Sequence, residues 1–314
     1  MRNGVKRFAL LLILALLLAA APSGCTKEGK GGTAGGITLV DLMGREVLVD
    51  GTAERIISLS PGNTEIVYAL GLEDKLFGIT EYCNYPPEAA EKEIVGGFDE
   101  PNIEAILAAE PDLVLAGANS MHKEAVTRLE ERGISVLVMD PQTVEQVYEA
   151  IRLVGIAADA EAKAKALVSD IERQITAVQE KTATLADDQV VTVYYELWYD
   201  PPMSVGNLSF IHEVIEAAGG KNIFADIEKN YPEVSPEAVA ERNPQVILYP
   251  DEHGTAELVT AQYYIRAGWS GIAALKDKRI YCVDPDRFNR PGPRMGCAIE
   301  ETAALFYPQL FDGR

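Results

Sequence analysis

Residues that carry out catalysis are scarce in this sequence. It contains three histidines, His122, His212 and His253, and no two of them have the spacing of a zinc-binding helix. The nucleophile elbow GxSxG and the phosphate loop GxxxxGKS/T are also absent. The sequence therefore predicts that the protein is not an enzyme and that it needs no metal or other cofactor.

Basic residues are also too few for a nucleic-acid-binding protein. The sequence has 28 Lys and Arg against 48 Asp and Glu, which gives a formal net charge of -20. Such a surface repels a polyphosphate, so nucleic acid is excluded as a partner. Hydrophobic residues make up 47% and charged residues 24%, a composition typical of a globular protein.

The N-terminal hydrophobic run is too short to span a membrane. It covers residues 8–21 after a basic start, whereas a spanning helix needs about 20 apolar residues. This pattern predicts a signal peptide over residues 1–24 and export of the mature chain. Cys25 and the polar, glycine-rich segment 25–36 resemble a bacterial lipobox and its flexible tether, with Pro22 where the pattern has Leu. We therefore expect a lipid on Cys25 to be the protein's contact with the membrane.

The other cysteines do not have the spacing of a metal site. Cys83, Cys282 and Cys297 are separated in the chain, and an exported protein can oxidise a pair of them. Cys282 and Cys297 are the nearer pair. The sequence leaves open whether they form a disulfide.

After a predicted hairpin over residues 37–49, the chain contains the same series of elements twice. Each half begins with a short β-branched strand and a helix that ends at glycine. A second helix, in which a Glu precedes a Pro by seven residues, leads into a buried strand, and a last strand ends in Asp-Pro. The matching segments are 55–71 and 189–220, 101–116 and 234–250, and 134–141 and 279–285. Two α/β lobes of one plan are therefore predicted.

A long amphipathic helix is predicted between the two halves. Apolar residues recur at helical spacing between residues 160 and 181, and Asp159 is the predicted N-cap. At about 1.5 Å per residue this helix has a length of about 33 Å, enough to bridge two lobes. The predicted domains are an N-terminal lobe over 37–142, a helical bridge over 143–186 and a C-terminal lobe over 187–314.

Aromatic residues are concentrated in loops that follow predicted strands. Such loops surround the ligand crevice of an open α/β sheet, so aromatic side chains from both lobes are expected to face one cleft. The candidates are Tyr82, Phe98, Trp198, Tyr199, Tyr231 and Phe288. The predicted fold class is therefore α/β, with two similar lobes bridged by one long α-helix and a ligand cleft between them.

Several motifs resemble the solute-binding proteins of ABC importers, in the class that takes up cobalamin, ferric siderophores or haem. They are RIISLSPGNTEIVYALGL, EYCNYPPEA, PNIEAILAAEPDLVLA, YPEVSPEAV and RPGPR, within residues 53–310. EYCNYPPEA and NYPEVSPEAV are most similar to vitamin B12-binding members. The resemblance implies a ligand site formed by Tyr82, Phe98, Trp198 or Tyr199, Tyr231, Asp286 and Arg290. It also implies that Glu104 and Glu237, which occupy equivalent positions in the two halves, dock on the permease.

The function implied by this resemblance is the delivery of cobalamin or another corrinoid to an ABC permease dimer with its ATPase subunits. The protein is expected to be an extracytoplasmic, lipid-anchored monomer. A ferric siderophore or haem is the alternative ligand, and an anionic siderophore would contact Arg287, Arg290 and Arg294. An exported α/β enzyme or chelatase is the second alternative, and it requires a nucleophile or metal set that we do not find in the sequence.

Overall fold

Two α/β lobes are present in the protein, as a computed structural model shows, and the predicted fold class is confirmed. The structure describes residues 35–118, 120–250 and 256–311. The predicted signal peptide, Cys25 and most of the predicted tether lie outside these residues. Within the described part of the chain, no helix is both long and apolar enough to cross a bilayer.

The N-terminal hairpin forms as predicted and is attached to the first lobe. Its strands, β1 (Ile37–Val40) and β2 (Glu46–Val49), are antiparallel, and Gly44 in the turn has a φ of 74°. The buried carboxylate of Asp41 accepts a hydrogen bond from the backbone N–H of Val138, with an N···O distance of 3.1 Å. This bond joins the hairpin to the edge of the lobe's sheet.

Among the described residues, the sheet of the N-terminal lobe has five strands, all parallel. They are β3 (Ile56–Ser58), β4 (Leu76–Ile79), β5 (Glu93–Ile94), β6 (Leu113–Ala116) and β7 (Ser135–Val138). Their order across the sheet is β5-β4-β3-β6-β7, so the first strand of the lobe is central. β3 and β6 are buried along their whole length, as expected for central strands of a parallel sheet covered on both faces.

The C-terminal lobe repeats this strand order. Its strands are β8 (Thr192–Tyr195), β9 (Trp198–Tyr199), β10 (Pro202–Met203), β11 (Lys221–Asn222), β12 (Val246–Pro250) and β13 (Ile280–Val283). β9 and β10 form a separate antiparallel hairpin, and the other four are parallel in the order β11-β8-β12-β13. These four correspond to β4, β3, β6 and β7. The repeat predicted from the sequence is therefore confirmed at the level of topology.

Helices connect the strands in both lobes. They are α1 (Pro61–Ala69), α2 (Ile103–Ala108), α3 (Ser120–Glu130), α4 (Val144–Ala157), α5 (Glu161–Thr182), α6 (Phe210–Ala217), α7 (Pro236–Arg242), α8 (Ala256–Ile265), α9 (Ala273–Lys276), α10 (Pro285–Phe288), α11 (Met295–Phe306) and α12 (Pro308–Phe311). Short 3-10 helices lie at Glu73–Lys75, Pro87–Glu91, Asp187–Gln189 and Trp269–Gly271. The predicted bridge corresponds to α4 and α5.

The long helix α5 has 22 residues and buries one face. Its buried residues have the helical spacing predicted from the sequence: Ala164, Val168, Ile171, Ile175 and Val178. They belong to a core that continues into strands of both lobes, so α5 links the lobes by apolar packing. The predicted N-cap, Asp159, is wrong. The N-cap is Ala160, and Asp159 has a left-handed φ of 58°.

No disulfide joins the cysteines of the described chain to one another. Cys83 is buried, and Cys282 and Cys297 are both exposed. The disulfide that the sequence left open is therefore not formed in this structure.

Candidate ligand-binding cleft

A cleft of about 470 Å³ lies between the two lobes. Its N-terminal wall is made of residues 60–63, 82, 98–99, 117–118 and 139–142, which follow the carboxyl ends of β3 to β7 in turn. Its C-terminal wall is made of residues 210, 231, 285–286 and 289–291. The last of these segments follows β13. The lining is thus supplied by loops and helix starts at the strand ends.

The strand order explains why a cleft forms at this edge. β3 and β6 are neighbours in the sheet, and the connection that leaves β3 runs to β4 on one side, whereas the connection that leaves β6 runs to β7 on the other side. Loops that diverge from neighbouring strands leave a crevice beyond the carboxyl ends of the strands. Residues 60–63 and 117–118 follow β3 and β6 and form the floor of this crevice.

Phe98 is held in the cleft wall by a buried histidine that the sequence analysis did not select. Nδ1 of His122 accepts a hydrogen bond from the backbone N–H of Gly117 at 3.0 Å. The proton therefore lies on Nε2, which donates to the carbonyl oxygen of Phe98 at 2.6 Å. The rings of Phe98 and His122 are also in edge contact, with centroids 5.4 Å apart. His122 thus joins the loop after β5 to the end of β6.

Two tyrosines from opposite lobes present their rings to the same cleft. Tyr82 of the N-terminal lobe and Tyr231 of the C-terminal lobe both line it and remain exposed, by 57% and 44%. Burial of the hydroxyl raises the pKa of Tyr231 above its ordinary value, and the nearby carboxylate of Asp140 raises it further. The phenol of Tyr231 is therefore neutral at physiological pH.

Direct hydrogen bonds join the lobes on one side of the cleft. Glu65 and Asn84 of the N-terminal lobe meet Asp286, Arg290 and Arg294 of the C-terminal lobe, and we call these five residues the interlobe polar cluster. Arg290 donates to Asn84 Oδ1 at 2.7 Å and pairs with Asp286 at 2.5 Å. Asn84 in turn donates to Asp286 at 2.8 Å.

The centre of the interlobe polar cluster is a buried ion pair. Glu65 is 4% exposed, and its carboxylate accepts two hydrogen bonds from Arg294, at 2.6 and 2.8 Å. Arg290 lies 3.7 Å from the same carboxylate. Burial raises the pKa of Glu65 above its ordinary value, although both arginines oppose this rise. Removing these charges from water costs free energy, and the two short hydrogen bonds between Glu65 and Arg294 offset that cost.

A second interlobe bond lies at another point of the cleft. Asn230 donates to Gln142 Oε1 at 2.8 Å, and Gln142 is itself a lining residue. The backbone N–H of Gln142 donates to Gln146 at the start of α4. The cleft is thus bounded by side-chain contacts between the lobes at two places.

Three of the predicted ligand-site residues lie elsewhere. Phe288 is buried in the core, where its ring stacks on Tyr195 with centroids 5.4 Å apart. Trp198 and Tyr199 form the exposed strand β9, where their rings lie with centroids 5.4 Å apart, and neither is among the described lining residues of the cleft. The residues that the structure does bring to the cleft are Tyr82, Phe98, Tyr231, Asp286 and Arg290.

Glu104 and Glu237 occupy the same position in two capped helices. Each is the second residue of its helix, α2 or α7, and each is exposed. Asn102 and Ser235 cap these helices by accepting hydrogen bonds from Ala105 and Ala238 N–H groups. Since other residues make the caps, neither glutamate is required for capping.

Two α/β lobes, a bridging helix and an interlobe cleft define a two-lobed solute-binding protein. The chain belongs to the periplasmic binding protein family, which it matches over residues 56–287. It is 37% identical over 279 residues to the ABC transporter substrate-binding lipoprotein YvrC of Bacillus subtilis strain 168, covering 88% of this chain and 87% of the relative. It is 34% identical over 250 residues to the vitamin B12-binding protein of Vibrio cholerae, covering 79% and 87%.

A solved structure supports the same assignment. A possible iron-binding, periplasmic solute-binding protein from Staphylococcus epidermidis has a TM-score of 0.73 and 28% identity, and the match covers 82% of this chain and 99% of that one. The protein is therefore an extracytoplasmic substrate-binding protein of an ABC transporter. It binds a small molecule, works with a permease and its ATPase, and is not an enzyme.

Breaking the Glu65–Arg294 pair on one side is expected to destabilise the protein more than removing it. Arg294→Met leaves a buried carboxylate without its main partner, at a cost of about 3 kcal/mol in the free energy of unfolding. The double variant Glu65→Met with Arg294→Met recovers most of that loss because no buried charge is left unpaired. Urea unfolding of the wild type, both single variants and the double variant measures this.

The deficit of Arg294→Met also has an expected pH dependence. The folded-state pKa of Glu65 is already raised, and loss of Arg294 raises it further. An acid with a raised folded-state pKa contributes its full stability below the unfolded pKa and loses it as pH rises through the folded pKa. The deficit is therefore largest at neutral pH and shrinks on mild acidification.

A double variant as unstable as Arg294→Met would contradict the account of the buried ion pair.

Proposed function

We propose that the transported ligand is a corrinoid. The observation that carries this proposal is a cleft lined by aromatic rings from both lobes, in which the cation of the described lining, Arg290, is already paired with a carboxylate. A large, partly apolar ring gains about 25 cal/mol for each Å² of apolar surface that it buries against such walls. Aromatic contacts add about 0.5 to 1.5 kcal/mol beyond that area.

The charges of the cleft favour a corrinoid over anionic ligands. Arg294 is engaged by Glu65, and Arg287 pairs with Glu301 and Asp284. Arg290 is paired as well, so all three arginines that were expected to contact a siderophore anion already have a carboxylate partner. An anion entering this cleft would displace existing ion pairs, which costs free energy.

The side chains near the cleft also fit a corrinoid better than haem. Haem binding commonly uses a histidine or a tyrosinate from the protein as a ligand to iron. Both ring nitrogens of His122 are hydrogen-bonded, and the raised pKa of Tyr231 opposes its phenolate form. A corrinoid such as cobalamin carries its own axial ligands. The similarity to a vitamin B12-binding protein supports the same choice.

Titration against a panel of corrinoids, haem and ferric siderophores tests the ligand class. Tyr231→Ala is expected to weaken corrinoid binding about tenfold, because a ring contact is lost, without unfolding the protein. Tyr264→Ala is a matched control, since Tyr264 is 45% exposed and lies outside the cleft lining. Calorimetry with both variants measures the difference. Tight binding of a siderophore or haem in place of corrinoids would overturn the proposal.

We also propose that Glu104 and Glu237 dock on the permease. Both carboxylates are exposed, and among the described residues neither forms an ion pair with another side chain of this protein. One carboxylate on each lobe, at equivalent positions, presents a pseudo-symmetric pair of charges to a two-fold partner. The resemblance of both motifs to solute-binding proteins of ABC importers supports this role.

Removing both carboxylates should uncouple binding from transport. Glu104→Ala with Glu237→Ala is expected to keep ligand affinity and to abolish uptake by the cognate importer, because docking charges fix orientation. A double variant of two other exposed glutamates, Glu46→Ala with Glu180→Ala, is the control and should transport normally. Radiolabelled uptake and calorimetry measure both functions. Normal transport by the Glu104 and Glu237 variant would show that other residues dock.

Finally, we propose that Cys25 carries a lipid anchor. The proposal is supported by the lipobox-like sequence and by the lipoprotein relative in Bacillus subtilis. Several acyl chains give stable membrane attachment, whereas one gives marginal binding. Cys25→Ala is therefore expected to move the protein from the membrane fraction to the soluble fraction of the producing cell. Immunoblotting of the two fractions measures this, and a Cys25→Ala protein that still sediments with membranes is the contrary result.

A further inference from the structure

The charged side chains that line the cleft are mostly acidic. They are Asp99, Asp140, Asp286 and Arg290. Asp286 and Arg290 form an ion pair at 2.5 Å, and the remaining donors of Arg290 are directed to Asn84 and the Tyr82 carbonyl. The described lining therefore carries two carboxylates in excess, those of Asp99 and Asp140.

These two carboxylates are placed by different parts of the N-terminal lobe. Asp99 follows Phe98 in the loop that His122 holds, and Asp140 follows the last residues of β7. Within residues 35–118, 120–250 and 256–311 neither has an ion-pair partner, and both are exposed. Asp140 also acts on Tyr231 of the opposite lobe, so its field reaches across the cleft.

We infer that the cleft distinguishes corrinoids by charge and prefers corrinoid cations to neutral corrinoids, an inference that rests on the proposed corrinoid function. A ring seated between Tyr82 and Tyr231 displaces water from the cleft. The lower local dielectric then strengthens the attraction between a cationic ligand and the Asp99 and Asp140 carboxylates. The net charge of -20 on the whole chain acts in the same direction at longer range.

Corrinoids allow this inference to be tested with nearly constant shape. The corrin ring carries one negative charge against the three positive charges of cobalt(III). Aquacobalamin, which has a phosphodiester and a water on cobalt, is therefore a monocation, and cyanocobalamin is neutral. Diaquocobinamide, which lacks the phosphodiester, is a dication, and dicyanocobinamide is neutral. The two pairs separate the effect of charge from the effect of the nucleotide loop.

The experiment is a calorimetric titration of the full chain with these four compounds. Because burial raises the pKa of Asp140 above its ordinary value, the pH is kept high enough for this carboxylate to be ionised and low enough for the cobalt-bound water to be protonated. At low ionic strength the cation of each pair is expected to bind more tightly, by about three- to tenfold for each unit of charge. The preference is expected to shrink at high salt because screening reduces the attraction. A preference that is unchanged by salt would overturn the inference.

Two charge-removing variants and one control locate the effect. Asp99→Asn and Asp140→Asn should each weaken the binding of the cations and leave the neutral compounds unaffected, and the double variant should abolish the preference. Asp188→Asn is the control, since Asp188 is exposed and precedes β8. It lies at the amino end of this strand, whereas the cleft lies at the carboxyl ends of the strands. Its affinities should match those of the wild type.

The outcomes separate this inference from the proposed function. If no corrinoid binds, both the corrinoid proposal and the charge preference are wrong. If the four compounds bind with equal affinity, the protein is a corrinoid carrier and only the charge preference is overturned. If the Asn variants weaken neutral and cationic compounds alike, Asp99 and Asp140 act by shape or hydrogen bonding, and the inference is overturned as well.

Discussion

The contact between the two lobes depends on a carboxylate buried at their junction. Glu65 lies on α1 of the N-terminal lobe and has Arg294 of the C-terminal lobe as its main partner. Gly62 lies one turn earlier on α1, and a Cβ at that position would stand 2.6 Å from the Pro291 carbonyl oxygen. A side chain there would force the lobes apart, so glycine is needed for the close approach that brings the ion pair together. Gly62 and Pro291 also line the cleft, which is therefore shaped by the same contact.

Much of the fold follows from local sequence patterns that occur twice. Short β-branched runs, glycines that end helices and prolines that follow them act over a few residues, and they predicted the strands and helices in the right order. The order of strands across each sheet required the structure, because it depends on which way each connection crosses. The N-cap of α5 was also predicted wrongly. Asp159 is a good capping residue, but the chain there takes a left-handed turn that moves the helix start to Ala160.

Part of the cleft lining could be predicted from the sequence, but the residues that hold the lining in place could not. Aromatic residues after strands are a visible signal, and Tyr82, Phe98 and Tyr231 do face one cavity. Position after a strand does not set the direction of a side chain, however, and Phe288 points into the core instead. Glu65 and His122 act through partners distant in the chain or through backbone atoms, so no local motif marks them.

The arginines of RPGPR show how the interlobe contact also determines the electrostatics of the cleft. By sequence, Arg290 and Arg294 are cations beside a ligand site and would suit an anionic ligand. In the structure Arg294 is bound to the buried carboxylate of Glu65 in the other lobe. Arg290 pairs with Asp286 of its own lobe and donates to Asn84 of the other lobe. The positive charge near the cleft is thus used to hold the lobes, and Asp99 and Asp140 remain unneutralised by the described lining. A cleft suited to anions would therefore require additional basic residues, because freeing the existing arginines would weaken the lobe contact that forms the cleft.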